Sequence, residues 1–185
     1  MPTARPRLPA RKADRGRRAK DGGGAAAAPP PSPVELGIRY IARRLRFEAE
    51  VRTHLRGKGV HGRELEEALS RLRELNLLSD FETCRAWIRD KIRFSPHSRS
   101  ALRFQLRRKG AGEEAIDAAL DDAFPSDGEV ELAVQVAKRS ARAVSSLPEA
   151  VQRRRLWGAL ARRGFCREVT REAIARVLGD REESE

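Results

Sequence analysis

One short pattern occurs three times in this chain and constrains its fold more than any other feature. A leucine is followed four residues later by a glycine, and the residue before the glycine is basic, in segments 55–59, 106–110 and 160–164. The three glycines lie 51 and 54 residues apart. A basic residue near the end of a helix interacts favourably with the helix dipole, and glycine readily adopts the left-handed turn that ends a helix. The pattern therefore predicts three helix ends in a tandem repeat.

The residues around each copy of the pattern have the periodicity of α-helices. Apolar residues recur at intervals of three and four, as they do on one face of a helix. Three such sets are Leu65, Ala68, Leu69 and Leu72; Phe81, Cys84, Ile88 and Ile92; and Val130, Val134, Ala137 and Ala141. No comparable run alternates with the period of two that is typical of a strand. We predict an all-α fold of three tandem three-helix repeats that form an elongated, curved molecule.

The second helix of each repeat is predicted to end at the basic residue and glycine. The predicted helices span 34–45, 47–58 and 61–76; 80–92, 96–109 and 112–123; and 128–143, 148–163 and 168–178. The predicted repeats are 34–78, 79–125 and 126–180, followed by an acidic tail at 181–185. Serine and glutamate three residues apart, at 79 and 82, 126 and 129, and 146 and 149, predict capping boxes. A repeat of this size buries little apolar surface alone, so we expect the repeats to pack together.

Residues 1–33 differ in composition from the rest of the chain. They contain seven of the ten prolines and no set of residues that could form an apolar helix face, so we predict a disordered tail. The segment carries eight Lys or Arg and two Asp, which is half of the net charge of +12. A nucleic-acid tether, a solubilising tail and a misassigned start codon all remain open. An organelle transit peptide is disfavoured because the segment is poor in serine and interrupted by proline and glycine.

The strongly basic composition predicts an anionic partner. The chain has 39 Lys or Arg against 27 Asp or Glu, and its calculated isoelectric point is about 11.0. We expect a cytoplasmic protein without a membrane contact, because no segment is long and apolar enough to span a bilayer and the N-terminus lacks the apolar stretch of a secretory signal. Cys84 and Cys166 have no spacing typical of a disulfide framework or a zinc site, and we expect both to be buried.

The positive charge is concentrated in the second helix of each repeat. Over the twelve residues that end at each glycine, the net charge is +1, +5 and +5. In the second repeat, residues 111–124 carry five acidic and no basic residues, so neutralisation between two helices is as good an interpretation as an exposed basic face. In the third repeat, residues 165–180 are balanced and cannot neutralise the preceding helix. The candidate partner-binding residues are Arg44, Arg46, Arg52, Lys58, Arg99, Arg103, Arg107, Arg108, Lys109, Arg153, Arg154, Arg155, Arg162 and Arg163.

The sequence does not predict an enzyme. His54, His61 and His97 lack the spacing of a metal site, and Cys84 has no recognisable base partner. Glycines 22–24 lack the residues that a phosphate-binding loop requires, so we expect no cofactor and no metal. The two tryptophans, at 87 and 157, lie within helical apolar patterns and are predicted to pack in the core or between repeats rather than to stack on bases.

Taken in order, these motifs resemble those of the RecX family of bacterial recombinase regulators. Residues 44–52 with Lys58-Gly59 are similar to the family's opening arginine and glutamate pattern before its first Lys-Gly. Segments 77–81 and 86–88 resemble the family's Leu-x-Asp entry to its second repeat and the apolar-aromatic helix that follows. Segments 102–110 and 156–165 are similar to its second and closing Leu and Gly elements. Phe47 and Cys84 depart from the family's usual Ser or Thr and Ala.

The resemblance implies a non-catalytic, monomeric regulator that binds the RecA recombinase and its nucleoprotein filament. Such a protein inhibits recombinase and ATPase activity by lying in the filament groove or blocking filament growth, and so modulates recombination, DNA repair and the SOS response. The candidate basic residues would contact RecA or DNA, with weak direct DNA binding as a further expectation. From the residues alone two other classes remain: a generic helical DNA- or RNA-binding protein that acts through its basic helices and tail, and a scaffold without a nucleic-acid role.

Overall fold

The computed structural model describes residues 30–126 and 128–179, and every regular element in this part of the chain is an α-helix. The helices are α1 (Pro33–Ile41), α2 (Glu48–Gly57), α3 (Gly62–Glu74), α4 (Asp80–Phe94), α5 (Arg99–Arg108), α6 (Glu113–Ala123), α7 (Gly128–Arg142), α8 (Glu149–Ala161) and α9 (Arg167–Leu178). They form three consecutive three-helix repeats, which confirms the predicted all-α repeat fold. The predictions for residues 1–29 and 180–185 lie outside the described residues.

The recurring glycines end the second helix of each repeat as predicted. Gly59, Gly110 and Gly164 have φ values of 88°, 82° and 82°, in the left-handed region. In each copy, the amide of the residue after the glycine donates a hydrogen bond back to the carbonyl of the motif leucine, as in a Schellman motif. The motif leucines are fully buried, and the residues after the glycines are buried too. The pattern therefore encodes a helix end with an apolar contact beneath it.

The helix starts agree only partly with the predicted caps. Ser79 Oγ accepts a hydrogen bond from Glu82 N at 3.3 Å, as expected for its half of a capping box. The box predicted at residues 146 and 149 is wrong, because α8 begins after Pro148 and has no side-chain cap. Helix α5 starts at Arg99 rather than at residue 96, because Ser98 Oγ accepts from Ala101 N at 3.1 Å. A capping box that was not predicted joins Ser32 and Glu35.

Two apolar cores hold the helices together. The first repeat has its own core, made of Val51, Leu55, Val60, Leu65, Ala68, Leu69, Leu72 and Leu78. The second and third repeats share one continuous core, so the expectation that repeats pack together holds most strongly for this pair. Phe47 belongs to the first repeat in sequence but is buried in the shared core. Helix α1 ends at Ile41, earlier than predicted, and extended chain precedes α2, with Phe47 at its N-cap.

The second helices of the three repeats follow one another end to end. A Cβ placed on Gly110, after α5, would lie 2.6 Å from Cβ of Ala49 in the first turn of α2. A Cβ on Gly164, after α8, would lie 2.8 Å from Ser98 Oγ, next to the start of α5. The amide of Ser98 also donates to Arg163 O at 3.0 Å. We call α2, α5 and α8 the basic helix row.

Acidic residues of the following repeat cap the first two helices of the basic helix row. Asp80 Oδ1 accepts a hydrogen bond from Glu48 N at 2.8 Å, at the first residue of α2. Glu129 Oε1 accepts from Arg99 N at 3.1 Å, at the first residue of α5. A carboxylate at a helix N-terminus satisfies a free amide and interacts favourably with the helix dipole. These two equivalent contacts align each repeat on the next.

Candidate partner-binding surface

The predicted basic residues that precede α2 contact a carboxylate within their own repeat. Glu50 Oε1 lies 2.8 Å from Arg44 Nη2 and 3.4 Å from Arg46 Nη1. The guanidinium of Arg46 also lies 4.2 Å from the centroid of the Tyr40 ring. Partial burial raises the pKa of Glu50, but the hydrogen bond from Phe47 N and the two guanidinium groups outweigh it and hold the pKa below its usual range. The side chain of Arg46 is mostly buried, so its guanidinium is engaged inside the first repeat.

Arg52 joins a second ion-pair network on the same repeat. It bonds Glu48 at 3.0 Å and also contacts Glu66, while two nitrogens of Arg73 each donate to Glu48 at 2.8 Å. The hydrogen bond from Arg73 is the largest cause of the lowered pKa of Glu48, which keeps this carboxylate charged. Lys58, the C-cap residue of α2, is exposed and has no ion pair within the described residues. Among the predicted binding residues of this repeat, Lys58 is the one available to a partner.

In the second repeat, α5 and α6 largely neutralise each other. Arginines at every fourth position of α5 pair with carboxylates at every fourth position of α6, in reverse order. The three pairs are Arg99 with Asp121, Arg103 with Asp117, and Arg107 with Glu113. A spacing of four places successive residues on one helix face, so the pairs form a ladder between antiparallel helices. Of the two interpretations that the sequence left open for this repeat, the ladder supports neutralisation.

Two cations at the end of α5 remain outside this ladder. Arg108 and Lys109 are exposed and have no ion pair within the described residues. The guanidinium of Arg108 lies 6.0 Å from the centroid of Phe104, and Lys109 Nζ lies 5.8 Å from the centroid of Trp87. Phe104 is itself 62% exposed. The end of α5 therefore presents two cations next to aromatic rings.

The third repeat divides its predicted arginines into two groups. Arg153 is held inside the repeat, because it donates to Glu149 at 2.9 Å and to the carbonyl of Gly179 at 3.0 Å. Arg163 donates to Ala159 O at 2.7 Å. The other three are exposed and have no ion pair within the part of the chain that the structure describes: Arg154, Arg155 and Arg162. We call these three residues the α8 cationic face.

Helix α9 does not supply carboxylates to the α8 cationic face. Its Glu172 bonds Arg176 at 2.5 Å, and Arg176 bonds Glu131 of α7 at 2.6 Å. The pKa of Glu168 lies below its usual range, chiefly because of a hydrogen bond within its own residue at the start of α9. The positive charge of α8 is therefore not compensated by the neighbouring helix, in contrast to α5.

A groove between α8 and α9 borders the α8 cationic face. Its volume is about 330 Å³, and it is lined by Ala150, Arg153, Arg154, Trp157, Arg171 and Ile174. Trp157 is 39% exposed, so of the two positions predicted for it, in the core or between repeats, the core position is wrong. The sequence holds a signal that could have shown this, because Leu156 and Leu160 define the buried face and the next residue after Leu156 is rotated away from it. We call this feature the α8–α9 groove.

Two side chains that could take part in catalysis or metal binding, those of His54 and Cys84, are engaged in packing contacts instead. The ring of His54 stacks on Tyr40 with centroids 4.0 Å apart, and burial, followed by the charges of Lys58 and Arg46, lowers its pKa. Burial and the nearby Asp80 raise the pKa of the Cys84 thiol to about 12, which disfavours the reactive thiolate. In residues 30–126 and 128–179 no three His, Cys, Asp or Glu side chains are grouped so that they could hold a metal ion.

Cys166 and the lengths of the helices were also the subject of predictions. Cys166 is exposed, so its predicted burial is wrong. It occupies the N-cap of α9, a position outside the repeating apolar face. None of the helices in the described part of the chain combines the length and hydropathy required to cross a bilayer.

Comparison with protein families finds three matches in the order of the repeats. The model of the first three-helix domain of RecX matches residues 35–72, that of the second matches residues 79–120, and that of the third matches residues 127–174. Among curated proteins, Regulatory protein RecX of Chlorobaculum tepidum is 30% identical over 149 residues, covering 80% of this chain and 90% of that protein. Regulatory protein RecX of Thermobifida fusca is 31% identical over 155 residues, covering 80% and 83%.

Solved structures show the same fold. A crystal structure of RecX from Lactobacillus salivarius superposes with a TM-score of 0.70 at 21% identity, covering 78% of this chain and 94% of that chain. A crystal structure of another regulatory protein RecX gives a TM-score of 0.62 at 23% identity, covering 80% and 70%. With three domain matches in sequence order and relatives that align over most of their length, the chain belongs to the RecX family of regulatory proteins.

Proposed function

We propose that this chain is a non-catalytic regulator that binds the RecA recombinase and its nucleoprotein filament in the cytoplasm and lowers recombinase and ATPase activity. In this way it modulates recombination and DNA repair. Membership of the RecX family supports RecA as the partner. The observation that carries the proposed contact is the α8 cationic face, where Arg154, Arg155 and Arg162 are exposed and have no ion pair with any residue in 30–126 or 128–179. The protein acts as a monomer in this proposal.

The basic helix row supports contact with an extended partner. Helices α2, α5 and α8 follow end to end, and each of 10 to 13 residues is about 15–20 Å long. Cations without an ion pair within the described residues occur on each of them: Lys58 at the end of α2, Arg108 and Lys109 at the end of α5, and the α8 cationic face. Separate anionic groups on a filament can therefore be contacted along the row.

The other predicted binding residues support the surface instead of contacting the partner. Arg44, Arg46, Arg52, Arg99, Arg103, Arg107 and Arg153 each have an ion pair with a carboxylate of this chain, and Arg163 bonds a helix carbonyl. A partner would have to displace these contacts before it could use the same guanidinium groups. The cations that have no ion pair within the described part of the chain do not require such a displacement, so we assign the main contact to them.

A charge-reversal variant with a matched control tests the proposal. The test variant is Arg154→Glu, Arg155→Glu and Arg162→Glu. The control variant is Arg39→Glu, Arg89→Glu and Arg139→Glu, which changes on the first helix of each repeat one exposed arginine that has no ion pair with another described residue. Both variants change the net charge equally. We expect the test variant to lose inhibition of RecA ATP hydrolysis on single-stranded DNA, while the control keeps it. Undiminished inhibition by the folded test variant would refute the assignment.

Direct nucleic-acid binding is a second candidate function, and one observation favours it. Trp157 is partly exposed in a groove that Arg154 and Arg171 also line, and an aromatic ring near guanidinium groups suits a stacked base and its phosphate. Binding of a labelled single strand without RecA, measured by fluorescence anisotropy at several salt concentrations, distinguishes the two. A generic binder would inhibit RecA only in proportion to its affinity for DNA, and a charge-matched basic protein would inhibit equally. If the chain is such a generic binder, it should not pull down RecA once nuclease has removed the nucleic acid that links the two proteins.

A further inference from the structure

The α8–α9 groove combines an apolar floor with a cationic rim. Ala150, Trp157 and Ile174 contribute apolar surface, and Arg154 and Arg171 are exposed beside it. Neither arginine has an ion pair within the described residues. Two guanidinium groups close to an exposed indole favour an anionic ligand, because each planar fork can bind a carboxylate with two hydrogen bonds.

The last described residue of the chain, Gly179, is bonded to a residue that lines this groove. Arg153 lines the groove and donates a hydrogen bond to the carbonyl of Gly179 at 3.0 Å. Gly179 follows the last turn of α9 and has a φ of 88°, so the chain turns at this residue instead of continuing the helix. Whatever follows Gly179 therefore starts next to the groove.

The sequence that follows Gly179 has the complementary charge. Residues 180–185, which lie outside the described residues, read Asp-Arg-Glu-Glu-Ser-Glu and contain four carboxylates and one guanidinium. Six extended residues reach about 20 Å. Arg171 precedes Gly179 by eight residues, which is about 12 Å along α9. The segment is therefore long enough to pass back along the groove and to reach both exposed arginines.

We propose that residues 180–185 are an intramolecular ligand of the α8–α9 groove, in which their carboxylates pair with Arg154 and Arg171 beside Trp157. A tether converts binding into an intramolecular event with an effective concentration on the order of millimolar, so weak pairs suffice. Because each exposed pair is weak and is screened by salt, the docking is reversible. Its regulatory consequence rests on the proposed function: the segment competes with an anionic partner for Arg154 of the α8 cationic face.

A second groove near the end of α9 provides the matched control. It is lined by Lys138, Arg142, Gln152 and the last residues of α9, with a volume of about 390 Å³. Lys138 and Arg142 are exposed and could also attract carboxylates. This groove lacks an exposed aromatic ring, and Arg153, which holds Gly179, lies in the other one. Neutralising the two grooves separately shows which of them the segment occupies.

The test uses the two indole N–H signals in the NMR spectrum of the ¹⁵N-labelled full chain. Trp157 reports on the groove and Trp87, on α4, is the internal reference; a Trp87→Phe variant assigns the two signals. The main comparison is a variant of equal length with Asp180→Asn, Glu182→Gln, Glu183→Gln and Glu185→Gln. Equal length avoids a new terminal carboxylate beside Arg153. We expect the Trp157 signal to shift between the two proteins and the Trp87 signal to stay in place.

The groove variants complete the test. In an Arg154→Gln, Arg171→Gln background, neutralising the segment should shift the Trp157 signal no further. In a Lys138→Gln, Arg142→Gln background, the shift should persist in full. At about 1 M salt, where screening acts within about 3 Å, the full chain should give the spectrum of the neutralised variant. An unchanged Trp157 signal on neutralising the segment overturns the proposal, and so does a shift that disappears only in the Lys138 and Arg142 background.

Failure of the docking and failure of the proposed function give different results. The NMR comparison contains no RecA and no DNA, so it is independent of the partner. If the α8 cationic face binds RecA, the neutralised variant should also inhibit ATP hydrolysis at a lower concentration than the full chain. A Trp157 shift together with undiminished inhibition by the Arg154, Arg155 and Arg162 variant supports the docking and refutes the proposed function.

Discussion

Replacing each motif glycine by alanine separates the two roles that these glycines have. All three residues have a positive φ, and a left-handed alanine costs about 1–2 kcal/mol. Gly59 has nothing within 4 Å of an added Cβ, so Gly59→Ala should cost only this amount. At Gly110 the added Cβ would lie 2.6 Å from Cβ of Ala49, an atom fixed to the backbone of α2. Overpacking of this kind costs about 1–3 kcal/mol more, so Gly110→Ala should cost about 2–5 kcal/mol in total.

Urea unfolding followed by circular dichroism at 222 nm measures these costs. Ala49→Gly removes the opposing methyl group but itself costs about 1 kcal/mol, because glycine is a poor helix residue. Measured against the Ala49→Gly protein, Gly110→Ala should therefore lose the overpacking cost and keep the backbone cost. Gly59→Ala is the matched control, and its cost should be the same with and without Ala49→Gly. Equal costs for Gly59→Ala and Gly110→Ala, or no rescue by Ala49→Gly, would refute the contact between the end of α5 and the start of α2.

Three further predictions concern single side chains. Phe47→Ala should destabilise the protein by about 3–5 kcal/mol, because Phe47 is buried in the core of the next two repeats; thermal unfolding measures this, and a cost below about 1 kcal/mol would contradict it. The pKa of Glu48 is lowered chiefly by Arg73, so its stabilising contribution should be present above its ordinary pKa of 4.5 and be lost as the pH falls through the lowered value. The stability difference between wild type and Glu48→Gln should therefore shrink below about pH 4.5, and a difference independent of pH would oppose this. A thiol reagent should label Cys166 in the native protein and leave Cys84 unmodified; mass spectrometry would show any exception.

The repeat fold was predictable because its signal is local. A buried leucine, a basic residue and a glycine in five consecutive residues define a helix end without reference to the rest of the chain. The second role of Gly110 and Gly164 was not predictable, since it depends on which helix start lies against each glycine. Gly59 has the same sequence pattern and the same φ but no such neighbour. Identical local patterns therefore do not imply identical packing.

The candidate surface was predictable in charge but not in pairing. Composition shows four cations on α5, a fifth directly after it, and five acidic residues on α6, yet it cannot show that Arg103 faces Asp117. That register depends on how the two helices pack. For the third repeat, the charge balance of residues 165–180 was sufficient to predict exposed arginines, since α9 has no excess of carboxylates. The predicted core position of Trp157 was wrong because an apolar segment on a helix does not place all of its residues on one face. Trp157 directly follows the buried Leu156 and is therefore rotated away from the buried face around the helix axis.

Binding to the RecA filament is the direct measure of the contact that we propose for the α8 cationic face. The fluorescently labelled chain would be titrated with RecA filaments on single-stranded DNA, as wild type, as the Arg154, Arg155 and Arg162 charge-reversal variant, and as the Arg39, Arg89 and Arg139 control. Each variant would first be shown to unfold near the wild-type temperature. We expect wild-type affinity for the control and at least a tenfold loss, about 1.4 kcal/mol, for the α8 variant. Equal affinities for both variants would contradict it.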